Sequence, residues 1–142
     1  LLGPDGNMQP PAPRAAHIPL IEATYPGTPD QVSYVRAALR GLLDGCPIAD
    51  DVILCGSELA TNAVIHSRSR LPDGVFTVRV EVHRSEYVWI EVEDGGGHWP
   101  DTAPRPTRGH GLDIISALAG DWGIDGDHMS RVVWARIDWP AT

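Results

Sequence analysis

The sequence predicts an α+β fold, a two-layer α/β sandwich with helices on one face of a mostly antiparallel sheet. Three observations carry that expectation. Two cleanly alternating runs, VFTVRVEVHR (75–84) and YVWIEVED (87–94), are separated only by Ser85 and Glu86, which is too short a link for anything but an antiparallel hairpin. Helical segments with one apolar face precede and follow that hairpin. At 142 residues the chain is about one domain long, enough for a single hydrophobic core.

In chain order, residues 1–16 are rich in Pro, Gly and Ala without periodicity, and a disordered tail is expected there, with the folded domain spanning 17–142. HIPLIEATY (17–25) reads as a first strand at a sheet edge, where Pro19 is tolerated. Thr28-Pro29-Asp30-Gln31 is a helix start, with a Thr cap, Pro in the first turn and Gln three residues after the cap. The helix that follows places Val32, Val35, Leu39 and Leu42 on one face and ends near Gly45. A second, largely apolar helix covers about 48–67. After the hairpin comes a Gly- and Pro-rich segment, 95–108, then GLDIISALAG as a short helix with Leu112, Ile115 and Leu118 or Ala119 inward. A final strand pair is expected from Trp122-Gly123-Ile124 and SRVVWARIDW (130–139), the latter with Val133, Ala135, Ile137 and Trp139 on one face.

Composition narrows the function. Nineteen acidic residues against eleven basic ones give a net charge of −8, and all eleven basic residues are arginine. An acidic surface repels phosphate backbones and anionic bilayers, so neither nucleic acid nor membrane is expected as a direct partner. Without lysine the chain cannot hold a Walker-type phosphate loop. Cys46 and Cys55 form no disulfide framework, which fits a cytoplasmic location. No run approaches the ~20 apolar residues of a membrane span, and the opening residues lack the basic start and apolar block of a signal peptide.

Three polar patches stand out. Glu58, Asn62 and His66 recur at four-residue intervals and so rise along one helix face. In VEDGGG (92–97), Asp94 marks the point where strand alternation stops and glycines begin; a carboxylate there accepts from the exocyclic amine of adenine and repels the carbonyl of guanine. In RGHGLDII (108–115), two glycines open a helix whose free N–H groups suit phosphate. Each patch alone also fits something plainer: a solvated helix face, a turn after a strand, or a tight turn before a helix. Together, and in this order, they supply a metal-binding amide, an adenine-reading acid and a phosphate cradle.

ELATNA, EDGGG and RGHGLDII resemble, in order, the N box, the D-x-G box and the G-x-G-L box of the gyrase/Hsp90/histidine-kinase/MutL (GHKL) ATP-binding superfamily. The short chain, the E-L-x-T-N-A-x-x-H form of the first box and the GDWG after the last resemble the anti-sigma-factor serine/threonine kinases in particular. The resemblance implies a Bergerat-type ATP-binding fold. It implies Asn62 as a Mg²⁺ ligand, Glu58 as general base, Asp94 on the adenine amine and Gly96 making room for the ring. It further implies that Arg108, Gly109, Gly111 and Leu112 belong to the nucleotide-binding set, under a lid at 98–108. The implied cofactors are ATP and Mg²⁺, and the implied partners are a sigma factor, an anti-anti-sigma antagonist protein and a second copy in a homodimer. The chain departs from the fuller D-x-G-x-G pattern at His98, and its lid carries Pro100, Pro104 and Pro106. These departures keep open a non-catalytic ATP-binding interaction module. The catalytic part of a histidine kinase is a further alternative.

Overall fold

In a computed structural model the described residues are 21–66, 71–96, 111–127 and 129–140; for His66, Gly111 and Leu112 only the backbone is described. The elements run β1 (Ile21–Pro26), α1 (Gln31–Leu42), α2 (Ala49–His66), β2 (Val75–His83), β3 (Tyr87–Asp94), α3 (Gly111–Leu118), β4 (Asp121–Gly126) and β5 (Arg131–Asp138). The strands form one five-stranded sheet in the order β1-β2-β3-β5-β4, antiparallel at every junction. This is the α+β architecture expected, with β1 at one edge. The expected tail at 1–16 and residues 17–20 of the first strand lie outside the described residues, as does the segment 98–108.

Period-two patterning builds the core. Phe76, Val78 and Val80 of β2, Val88, Ile90 and Val92 of β3, and Val133, Ala135 and Ile137 of β5 share one buried face. Val32, Val35 and Leu39 of α1, Val52, Leu59, Ala60 and Ala63 of α2, and Ile115 of α3 join the same cluster. A Cβ at Gly56 would stand 2.7 Å from Leu39 Cδ1 and 2.8 Å from Ile90 Cδ1, so the missing side chain lets α2 sit close to both α1 and β3.

Three local details differ from the sequence expectation. The Thr28 hydroxyl does not cap α1: it turns to the Asp30 carboxylate, and the Gln31 N–H is taken by the Thr28 carbonyl instead. Leu43, the C-cap of α1, is fully buried while Leu42 only flanks the core, because Leu43 follows Leu39 by four residues and its N–H still bonds the Leu39 carbonyl, which keeps it on the buried face. The hairpin turn contains Arg84 as well as Ser85 and Glu86, with Ser85 at a φ of +69°. On the face of the hairpin away from the helices, Glu81 and Glu91 are buried. Trp89 stacks on Trp134 with centroids 4.6 Å apart and donates to Glu91 Oε1 at 2.9 Å, while Arg79 bridges Glu22, Glu91 and Glu93. Burial works against the Arg79 charge, but the three carboxylates outweigh it and raise its pKa.

Candidate functional site

The helix α2 forms because an apolar segment with few helix breakers can bury most of its circumference, and it packs against α1, α3 and strands β2, β3 and β5. Asn62 sits within that buried circumference at 2% exposure, between Leu59 and Ala63. Among the described residues neither Asn62 Nδ2 nor Oδ1 has a hydrogen-bond partner. Leaving a buried amide unsatisfied costs about 1–3 kcal/mol, a penalty a folded chain retains only where something else satisfies the group. Glu58, one turn earlier, is half-buried. The side chain of His66, third in the predicted stripe, is outside the described residues.

Asp94 closes β3 on the same face as Val92 and Ile90, which is the helix-covered face, and is 5% exposed. Its Oδ1 accepts the Gly96 N–H at 2.7 Å. Gly96 has a φ of +72°, the left-handed conformation that folds the chain back over the carboxylate and that glycine adopts without strain. Its Oδ2 lies 3.4 Å from a guanidinium nitrogen of Arg131. Burial raises the Asp94 carboxyl above its ordinary pKa, and the Arg131 charge and the Gly96 N–H oppose that rise. The carboxylate is therefore fixed by one backbone donor and one cation, with lone pairs left for a further donor.

Gly111 opens α3, as expected, and α3 packs against α2. Arg108, Gly109, His98 and Trp99 lie outside the described residues, as does the side chain of Leu112. The structure thus brings Asp94 and Gly96 into one hydrogen-bonded unit at the end of β3, on a strand that α2 contacts, and α3 packs against the same helix.

Sequence reasoning missed Arg131, treating it only as part of the last strand. The signal was present in the alternation: Arg131 stands two residues before Val133, so it shares the inward face. It is 5% exposed, and burial lowers its pKa below the ordinary arginine value, with the Asp94 carboxylate opposing that fall. Cys55, by contrast, is inert: burial, reinforced by Asp51 and Glu58, pushes its thiol up to about 12.

The family described as Histidine kinase-like ATPase domain matches residues 25–137 of this chain. No curated protein matches it. Among solved structures, the chain is similar to the histidine kinase domain of the blue-light activated histidine kinase of Erythrobacter litoralis EL346, with 20% identity, a TM-score of 0.54 and coverage of 78% of this chain and 60% of that one. A structure of that blue-light activated kinase also matches, at 20% identity and a TM-score of 0.56, and there the chain spans 42% of the other's length. A chain of the SiaB–SiaC complex of Pseudomonas aeruginosa is similar at 14% identity and a TM-score of 0.62, covering 89% of this chain and 94% of that one. These likenesses establish the fold.

Proposed function

The chain belongs to the histidine kinase-like ATPase domain family, and from that premise we propose that it is a Mg-ATP-binding serine/threonine protein kinase of the anti-sigma-factor type. In this reading residues 17–142 form the kinase domain and act in the cytoplasm as a homodimer. The chain phosphorylates a small antagonist protein and holds or releases a sigma factor accordingly. The observation that carries the nucleotide site is the buried Asn62 amide with no partner among the described residues. Its oxygen is a hard ligand suited to Mg²⁺ and its position suits a group that arrives with the nucleotide. The SiaB–SiaC complex is a two-protein assembly containing this fold, which supports a protein partner. No described helix is long and apolar enough to cross a membrane.

Each residue has a role in the proposed reaction. Asp94 accepts the exocyclic amine of adenine while Gly96 holds the carboxylate in place. The free N–H groups at the start of α3, from Gly111 and Leu112, with Gly109 and Arg108 before them, receive the phosphates. Asn62 would hold Mg²⁺ through its amide oxygen, and the ion would supply the positive charge that an acidic chain without lysine lacks there. Glu58 accepts the proton of the attacking seryl or threonyl hydroxyl; the hydroxyl oxygen forms the new bond to the γ-phosphorus as the bond to the β–γ bridging oxygen breaks, and ADP leaves.

Incubation with γ-labelled ATP and a candidate antagonist tests the reading. Glu58→Ala is expected to lower label transfer ~10²–10⁴-fold while leaving nucleotide binding intact. Transfer that survives the substitution removes Glu58 as base; binding of ATP without any transfer by the unaltered protein favours the non-catalytic module.

A further inference from the structure

Directly across the sheet from Asp94 stands Arg131, the two Cα atoms being register partners at the end of β3 and the start of β5. Both side chains point to the helix-covered face and both are 5% exposed. A buried arginine is expensive unless it is paired, and this one is placed where the sheet would otherwise continue its apolar pattern of Val133, Ala135 and Ile137. Packing alone gives no reason for it there.

We propose that Arg131 is a positioning residue for base selectivity: its guanidinium holds the Asp94 side chain as an acceptor-only carboxylate and thereby selects a purine bearing a 6-amino group over one bearing a 6-oxo group. This rests on the adenine-binding role given to Asp94 above. A carboxylate can only accept, so it pairs with an N–H and repels a carbonyl oxygen; a protonated carboxyl carries an O–H and can donate to that same carbonyl. Selectivity therefore depends on which form is present at working pH. Burial favours the protonated form, and Arg131 is the first of the groups that oppose it. Around Asp94 the other described influences are the Gly96 N–H, which also favours the carboxylate, and Glu93, which works against it. The ionisable groups of the packed helices, Asp50, Asp51 and Glu58 on α2 and Asp113 on α3, are not among the described causes of its shift. Through the guanidinium nitrogen 3.4 Å from Asp94 Oδ2, Arg131 thus opposes by its charge the protonation that burial favours.

The test is equilibrium binding of ATP and GTP, with Mg²⁺, to the full chain between pH 5.5 and 8.5. The protein should prefer ATP, with a ratio steady around neutrality. In Arg131→Gln the carboxyl loses its cation, so its pKa rises further and the loss of ATP affinity on acidification begins at higher pH than in the unaltered protein. The ATP:GTP ratio should fall about tenfold toward the acidic end of that range, where the carboxyl of the variant is protonated and can donate to the 6-oxo group. Arg131→Lys, which keeps a cation and is the variant better able to fold, should keep the ratio within about threefold of the original. A folded Arg131→Gln protein with unchanged ratio and pH profile would overturn the proposal. So would an Arg131→Lys protein that loses selectivity outright, since packing rather than charge would then be responsible. If the unaltered protein binds no adenine nucleotide, the proposed function falls and this inference with it; if it binds with selectivity that Arg131 does not affect, only the inference falls.

Discussion

Asn62 is where the energetics of a single residue separate a structural role from a binding one. A structural amide makes hydrogen bonds that its removal would cost; the Asn62 amide makes none among the described residues. Asn62→Leu, close in volume and apolar, is therefore expected to leave the thermal stability of the nucleotide-free protein unchanged or raised, by up to about 1–3 kcal/mol, as the unsatisfied group disappears. The stabilisation by Mg-ATP should vanish in the same variant. Differential scanning fluorimetry reads both effects, and a loss of intrinsic stability comparable to a core truncation would show that the amide is structurally engaged after all. Glu58 differs from its neighbour in being half-buried, open to a proton donor in a way that Asn62 is not.

At the scale of elements, the approach to β5 decides how the site is held. Gly126 ends β4 with a φ of +105°, and a Cβ there would meet the Ser130 carbonyl oxygen at 2.1 Å and the Arg131 Cα at 2.9 Å. Gly126 is also the register partner of Arg131. Backbone cannot yield as a side-chain end can, so Gly126→Ala should destabilise the protein by about 2 kcal/mol or more and disturb the strand that carries Arg131. Gly41 is the control: it lies inside α1 with nothing within 4 Å of its would-be Cβ, and Gly41→Ala should stabilise by roughly 0.5–1 kcal/mol. Urea denaturation distinguishes the two, and equal effects would contradict the turn geometry. Gly56 is intermediate, since what it would meet are the mobile ends of Leu39 and Ile90.

Across the whole molecule, the two faces of one sheet carry different chemistry. The helix-covered face holds the apolar core and, at the adjoining ends of β3 and β5, the Asp94–Arg131 pair. The other face holds the Trp89–Trp134 stack, with Trp134 lying against Gly123, and the Arg79 cluster. Because the proposed ligand would join α2, the end of β3 and the start of α3, its binding should stabilise the domain as a unit. Mg-ATP at about 100 times its Kd should add roughly 2.7 kcal/mol, a rise of several degrees in Tm. GTP should add far less, and Asp94→Asn should abolish most of the ATP effect. Equal shifts with ATP and GTP would remove base recognition by Asp94.

How much of this could be read before folding depends on the range of the interaction. Periodicity is local, so the strands, the helices and the α+β class were legible from alternation in 75–94 and from the apolar helix faces. The residues proposed for the site stood out too, because Asn62, Asp94 with Gly96, and Gly111 each sit in a short contiguous motif. Cap chemistry at Thr28 was misread because Asp30 offers its hydroxyl a closer carboxylate. Only the tertiary structure decided the strand order β1-β2-β3-β5-β4, in which β5 inserts beside β3. That insertion sets Arg131 opposite Asp94 across 37 residues of sequence. It is a pairing no local pattern encodes, since cross-strand register is settled by the burial of both strands at once. The sequence on its own determined which residues fall in the three polar motifs; the fold determined that Asn62 is buried with no hydrogen-bond partner among the described residues and that Asp94 is held by a buried arginine.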